Sequence, residues 1–572
     1  MLTDPKLRSQ VDQLWDKLWT GGLANPLDAI EQLSYLLFLK RLDDEENRRE
    51  KQARMQNQAF SARVPPEMRW GQWTKFEAPK ALAHVRDTVF PWLRDLGEDN
   101  GRNSFARYMK NAEFKINKAN LLIEACKAID EMQISAQNQD VQGDLFEYLL
   151  SHLSIAGRNG QFRTPRHIIR MMVQMRDPKP GERIGDLAAG TGGFLVNAYQ
   201  YILEKNTSPE VLTYDEEGQP HNLIGDLLTD AQRKFLQTEA LRGYDNDSGM
   251  TMLRIGSMNL MLHGLESPRF FYMDTLSKDF TESKDYELIL MNPPFKGAVD
   301  KAEVPPTLPN DTTKSELLFL HLILRAFEMG GRCAVIVPDG VLFGSSRAHV
   351  AARKKLIEEN RLEGVVSMPG GVFKPYAGVS TAVLFFTRGA TTDRIWYYDM
   401  AHDGFSLDDK RQPVPDNDIP DILECWRKRH EADFQAKREK RLAELRDQAA
   451  PLKAERLKLH ADINRLTFEA AIAPEGDVGE TARQLLETDE AKLATLESQI
   501  APLQNEIDQL SRQFWVTKAK VVANKYDLSA SRYRKVEQDE TYYEKPEVTL
   551  DRLLVLGKVI ATEATELKGL LQ

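Results

Sequence analysis

"RIGDLAAGTGGFL", residues 183–195, decides the fold. A short apolar run ends in an acid, Asp186, and four residues later come Gly190, Thr191, Gly192 and Gly193, then a second apolar run. Glycine reaches backbone conformations closed to other residues, so the stretch reads as strand, sharp turn with bare backbone, and helix start. Outward from it, between about 160 and 400, β-rich runs alternate with helical ones: "LRGYD", "RFFYMD", "YELILMN", "RCAVIVPD", "LEGVVSMP" and "STAVLFFTRG". Strands interleaved with helices predict an α/β fold, a doubly wound, Rossmann-like parallel sheet with helices on both faces. The last two runs are joined by "GGVFKPYAGV", too short for a helical crossover. That pair is predicted to be antiparallel, at one edge of the sheet.

The flanks have a different texture. Residues 1–145 read as a helical N-terminal domain, in which Asn25 caps a helix that starts at Pro26. The sheet domain is assigned to 146–420. From 421 to 515 leucines recur in three- and four-residue steps (Leu442, Leu445, Leu452, Leu459, then Leu493, Leu496, Leu503, Leu510), interrupted by the turn-rich "APEGDVGE". This predicts an antiparallel coiled-coil hairpin whose apolar seam either takes a partner's helices or is buried arm against arm, with Pro451 and Pro502 each kinking or breaking an arm. Residues 516–572 are left as a helical tail without a chemical signal.

At 572 residues the chain exceeds one domain, and 42% hydrophobic with 28% charged residues suits a packed protein. A net charge of −10 argues against coating nucleic acid by bulk charge, though a local basic groove or a partner could carry phosphate contacts. Cys126, Cys333 and Cys425 have neither zinc nor disulfide spacing. No metal is expected. No apolar run approaches a membrane span and the N-terminus lacks a leader's layout, so a cytoplasmic protein is expected.

A glycine loop alone suits many nucleotide ligands, but two acids narrow the choice. Asp186 would repel a pyrophosphate and suit a cationic amino acid moiety. The next strand-end acid, Asp245 in "LRGYDND", would suit ribose hydroxyls. It lies much further on than the roughly 20 residues of a compact dinucleotide fingerprint, although an insertion could explain that gap. Both favour S-adenosylmethionine. A second stretch supplies an acceptor for a methyl group. In "DYELILMNPPFKG", 285–297, an apolar strand stops at Asn292, Pro293, Pro294 and Phe295. Prolines cannot extend a sheet ladder, so the chain leaves it on a rigid ledge. The Asn292 side-chain oxygen and the Pro293 carbonyl could accept both N–H bonds of an exocyclic amino group. That frees the nitrogen lone pair for in-line attack on a sulfonium methyl, while Phe295 stacks on the extruded base.

Together these motifs resemble the amino-methylating DNA methyltransferases, and in detail the modification subunits of type I restriction–modification systems. The resemblance implies a site-specific adenine-N6 methyltransferase using S-adenosylmethionine. "GQFRTPRHIIRMMV" (160–173) precedes the glycine loop as that family's cofactor segment does. By the resemblance Gln161, Phe162, Arg163, Thr164, Pro165 and Arg166 line the methionine end, with Thr164 near its carboxylate. Thr191, Gly192 and Gly193 contact the cofactor, Asp245 holds the ribose and Asp274 the adenine amino group. Phe373, in "GGVFKPYAGVSTAVLFF", sandwiches the flipped base opposite Phe295. "WYYDMAHDGFSLDDKR" is similar to the family's sequence past the sheet. Implied partners are double-stranded DNA, a separate specificity subunit bound by two copies of this chain, and a restriction nuclease subunit. The ledge chemistry serves cytosine N4 or a protein glutamine amide equally, so both stay open as substrates. A catalytically dead scaffold would need neither motif. His167 and His321 receive no role, and Asp339 is either a turn residue or a contact at the same sheet edge.

Overall fold

The computed structural model describes residues 5–571 apart from 24, 56–58, 97–103, 134–147, 150–163, 215–217, 219, 266, 296, 310, 375–377, 473–476 and 536–540. One nine-stranded sheet organises the chain. Its strands are β1 (Ile184–Asp186), β2 (Leu241–Asp245), β3 (Arg269–Tyr272), β4 (Tyr286–Met291), β5 (Phe327–Pro338), β6 (Asn360–Met368), β7 (Thr381–Arg388), β8 (Arg394–Asp399) and β9 (Gln513–Thr517). Their order is β9-β8-β6-β7-β5-β4-β1-β2-β3. β1 pairs in parallel with β2 and β4, β2 with β3, and β4 with β5. The chain builds outward from β1 to β3 and then returns to the other side of β1 as β4. That reversal opens a crevice at the carboxyl ends of β1 and β4, where ligands of such sheets bind.

The two sequence runs joined by the short glycine-rich link do form an antiparallel pair, but not at an edge. β7 is antiparallel to both β5 and β6 and lies inside the sheet. Beyond β6 comes β8, parallel to it, whose Ile395, Trp396, Tyr397 and Tyr398 are fully buried. This segment belongs to the sheet rather than lying past it. Its tyrosine hydroxyls make a core strand look half-polar in sequence.

The helices that matter here are α1 (Pro5–Thr20), α2 (Pro26–Met55), α3 (Ala119–Glu131), α4 (Arg166–Arg176), α5 (Gly193–Lys205), α6 (Thr251–Leu262), α7 (Ser315–Ala326), α8 (Arg347–Glu358), α9 (Ile419–Arg427), α10 (Ala432–Ile472), α11 (Asp477–Leu510) and α12 (Pro546–Leu570). Asn25 caps α2, its side-chain oxygen accepting the Leu27 N–H at 3.1 Å. The N-terminal helices do not close a core of their own. Leu14, Ile30, Leu33 and Leu122 share one apolar cluster with Met252, Ile255, Met258 and Leu262 of α6. A buried ion pair reinforces the junction, Arg254 Nε to Glu31 Oε1 at 2.5 Å.

By compactness the chain forms two units, residues 1–426 with 515–532, and residues 427–514 with 533–572. The first holds both the N-terminal helices and the sheet, and the start of the expected tail is drawn into it through β9. In the second, α10 and α11 run antiparallel arms whose Leu445, Ala449 and Ile507 are buried among Leu442, Leu503 and Leu510. Arg441 grips Glu506 across the arms at 2.7 and 2.8 Å. Of the two occupants open for that seam, the opposite arm fills it here. Neither proline breaks its helix: α10 runs through Pro451 and α11 through Pro502. A proline removes one backbone N–H, and side chains packed from the other arm keep the rods continuous. α12, which carried no signal in sequence, has no buried residue, and its Leu553, Leu554 and Leu567 are each more than half exposed. No described helix is long and apolar enough to cross a membrane.

Candidate active site

β1 delivers Asp186 to the crevice and buries it to 1% exposure. Its Oδ1 accepts the Ala188 N–H at 3.1 Å, and among the described residues no cation faces it. Burial pushes the carboxyl up to about 8, against the Ala188 hydrogen bond, and nearby Asp245 pushes it the same way. The turn then depends on positive φ, +53° at Gly190 and +77° at Gly192, with α5 starting at Gly193. A Cβ added at Gly190 would meet nothing within 4 Å, so this backbone borders open space.

Four contacts fix the loop. Thr275 Oγ1 donates to the Leu187 carbonyl at 2.9 Å, and the Ala189 N–H donates to the Tyr244 carbonyl at 2.8 Å. The Gly190 N–H donates to Asp245 Oδ2 at 3.1 Å, and Asn259 Nδ2 donates to the Thr191 carbonyl at 2.9 Å. Asp245 thus braces the loop with one oxygen and accepts the Asp247 N–H at 2.8 Å with the other. Burial raises its pKa, opposed by those two hydrogen bonds. The sequence reading missed Asn259 and Thr275. The available signal was a single fully polar residue, Asn259, in the apolar run "MNLML" of α6.

At the neighbouring strand end β4 stops at Met291 and the ledge begins. Pro293 and Phe295 are buried and Pro294 is exposed. Asn292 Nδ2 donates to Thr164 Oγ1 at 2.9 Å. Its Oδ1 is buried and accepts no hydrogen bond among the described residues. The structure thus joins the ledge to the segment expected to line the cofactor. Of that segment Gln161, Phe162 and Arg163 lie outside the described residues, Pro165 precedes α4, and Arg166 donates to Gln200 Oε1 at 3.2 Å. Asp274 is exposed and caps its own turn, Oδ1 accepting the Leu276 N–H at 2.9 Å.

Phe295 and Phe373 are brought together, but not as parallel plates. Their rings meet edge to face at 5.4 Å and 88°, both buried. No base fits between rings so packed. Each ring buries the other. His167, given no role in sequence, bonds Asp403 Oδ2 through Nε2 at 2.9 Å and stacks on Phe405 at 4.7 Å. Asp403 is 1% exposed, and burial alone would raise its pKa; hydrogen bonds from His167 and Arg411 hold it below the usual range instead. His321 is buried on α7 and pushed down to about 4, which keeps it neutral. Asp339 follows β5 at the same edge with Oδ1 buried and unbonded among the described residues, and burial with nearby Asp399 raises its pKa. Among the described residues no group of side chains could hold a metal ion.

Residues 137–460 match the family model for N-6 DNA methylases. The chain belongs to that family. Residues 7–129 match a second model, the HsdM N-terminal domain. The methylase chain is 30% identical over 433 residues to the type I restriction enzyme EcoEI methylase subunit of Escherichia coli, spanning 73% of this chain and 82% of that one. It is similar in structure to a modification subunit of a putative type I restriction enzyme from Vibrio vulnificus, with a TM-score of 0.60 at 29% identity, over 75% of this chain and 91% of the other. A second solved structure, from work on complex assembly and conformational transition of the type I R-M system, shares the fold over 100% of this chain and 99% of its own, with a TM-score of 0.60 at 24% identity. The methylase is thus a type I modification subunit by family.

Proposed function

We propose that this methylase transfers a methyl group from S-adenosylmethionine to the N6 of an adenine flipped out of double-stranded DNA. The observation that carries the reading is Asn292 Oδ1, a buried acceptor with no donor among the described residues, held at the strand end that neighbours β1. A buried polar atom left unpaired costs about 1–3 kcal/mol, which a donor from the substrate would recover. The residues present suit the cofactor. Asp186 is a buried carboxyl facing no cation among the described residues, matched to an ammonium group, and the Gly190 backbone borders open space.

Bound S-adenosylmethionine supplies an electrophilic methyl on a sulfonium. The chain's own groups do the rest. Asp186 would pair with the cofactor's ammonium, the loop from Gly190 to Gly193 would hold its amino acid moiety, Asp245 would accept from its ribose hydroxyls, and Asp274 would accept from its adenine amino group. Asn292 Oδ1 and the Pro293 carbonyl take the two N–H bonds of the target amine. That localises its lone pair, which forms the new N–C bond as the C–S bond breaks and its electrons stay on sulfur. The nitrogen then sheds one proton to solvent. Phe295 and Phe373 must part to admit the base, whose faces replace their mutual contact.

A separate specificity subunit bound by two copies of this chain selects the sequence, and a nuclease subunit joins for restriction. The exposed leucines of α12 offer that subunit's helices an apolar face, whereas the hairpin seam is already closed. The cytoplasm, where DNA lies and three free, buried cysteines stay reduced, is the proposed compartment. The test is methyl transfer from labelled cofactor to DNA by the chain co-purified with its specificity subunit, followed by mapping of the modified base. Label in N6-methyladenine supports the reading. Label in cytosine N4, or in glutamine of cell protein with none in DNA, overturns it.

A further inference from the structure

An amide has two ends, and only one of them can serve as the acceptor at the ledge. If Asn292 were flipped, its NH₂ would face the target amine, donor against donor. Something must set the polarity, and Thr164 is the group in contact, 2.9 Å from Nδ2. A threonine hydroxyl alone does not choose, because it can accept from Nδ2 or donate to Oδ1. It chooses only when its own proton is committed elsewhere. In this structure Thr164 is 7% exposed, and its hydroxyl proton has no acceptor among the described residues.

Both partners are held from behind. Thr164 precedes Pro165 and Asn292 precedes Pro293, and a residue before proline is confined to extended backbone. Thr164 is tied further by the start of α4, where His167 is anchored to buried Asp403. With both backbones fixed, the polarity of the amide is the freedom that remains. We infer that Thr164 is a positioning residue that couples the two halves of the site. With cofactor bound, the Thr164 hydroxyl would donate its hydrogen bond to an anionic acceptor of that group while accepting one from Asn292 Nδ2, and Asn292 Oδ1 is thereby locked as an acceptor toward the base. The inference rests on the methylase reading above. It makes capture of the target amine depend on cofactor occupancy, with no movement of the backbone.

The test compares Thr164→Val, which keeps the shape and removes the hydroxyl, with Thr164→Ser, which restores it. Each full chain is assembled with its specificity subunit. Base extrusion is read by 2-aminopurine placed next to the target adenine, which keeps its N6 amine, with and without S-adenosylhomocysteine. Affinity for S-adenosylhomocysteine is read by calorimetry and methyl transfer in single turnover. In the unsubstituted chain S-adenosylhomocysteine should raise the 2-aminopurine signal; in Thr164→Val that increment should vanish. The single-turnover rate of Thr164→Val at saturating cofactor should fall by about 10- to 100-fold, at or below the scale for losing a transition-state donor outright. Thr164→Ser should recover most of both. Full recovery of Thr164→Val at saturating cofactor would reduce Thr164 to a cofactor contact and overturn the inference. Thr164→Ser as impaired as Thr164→Val would reduce it to packing, with the same result. An unsubstituted assembly that leaves DNA unmethylated overturns the methylase reading and this inference with it; the variant pattern alone overturns only the inference.

Discussion

Replacing Asp186 by asparagine tests the charge logic of the crevice, because the carboxyl is held protonated well above its usual range. Burial raises it from the ordinary 3.8 to about 8. In the unfolded chain it ionises first, so between about pH 4 and pH 8 the unfolded state gains what the folded state cannot. Stability without ligand is therefore full at low pH and falls as pH rises through that window, by at most about 6 kcal/mol in all. Asp186→Asn keeps an oxygen for the Ala188 N–H and carries no charge. It should stabilise the ligand-free protein by several kcal/mol at pH 8 and by almost nothing near pH 4, measured by urea denaturation at both. The same carboxyl makes cofactor binding a proton-coupled event. At pH 7 it is about nine-tenths protonated, so pairing with an ammonium group should expel close to one proton, falling to about one half at pH 8. Calorimetry in two buffers of different ionisation enthalpy counts that proton, and Asp186→Asn should bind weakly and release none. Equal stabilisation by asparagine at both pH values, or no proton release from the unsubstituted chain, would refute the reasoning.

Asn292→Ala should lower methyl transfer by at least about 100-fold with cofactor affinity nearly unchanged, since the amide faces the base; near-normal turnover sinks the ledge. Asp245→Ala should weaken cofactor binding with much of the rate recovered at saturation, and the loss includes the brace on Gly190, so unchanged affinity by calorimetry would remove Asp245 from the site. Truncation before Pro546 deletes α12 and should abolish co-purification with the specificity subunit while sparing cofactor affinity. A truncated chain that still assembles shows the subunit docks elsewhere.

Much of this architecture is legible where a local rule acts. The seven β-rich runs all became strands, because β-branched and aromatic residues bounded by glycine, proline or an acid leave few alternatives. The glycine turn and the Asn-Pro-Pro-Phe ledge fell at the two strand ends that flank the switch point for the same reason. What escaped the sequence is set by partners distant along the chain. β7 lies inside the sheet because β8 and β9 continue past β6, and β9 comes from more than a hundred residues further on. The hairpin seam is closed by its own second arm, so heptads said only that a seam exists.

The N-terminal helices carry the same lesson into the site. Arg254, buried against Glu31, donates to the Gly249 carbonyl at 3.1 Å and to Thr251 Oγ1 at 3.2 Å, which steadies the loop between Asp245 and α6. Tyr108 fills in for a missing strand at the edge of β3: its hydroxyl donates to the Phe270 carbonyl at 2.7 Å and accepts the Tyr272 N–H at 2.9 Å. Asp274 lies two residues beyond that contact. Both acids assigned to the nucleoside end of the cofactor thus leave strands that the N-terminal region holds in place. A salt bridge with both members this buried stabilises little in itself, since desolvating the two ions offsets most of their attraction. Its effect is geometric. An arginine that must keep Glu31, a backbone carbonyl and a hydroxyl at once has one position available, and the loop that bears Asp245 shares it.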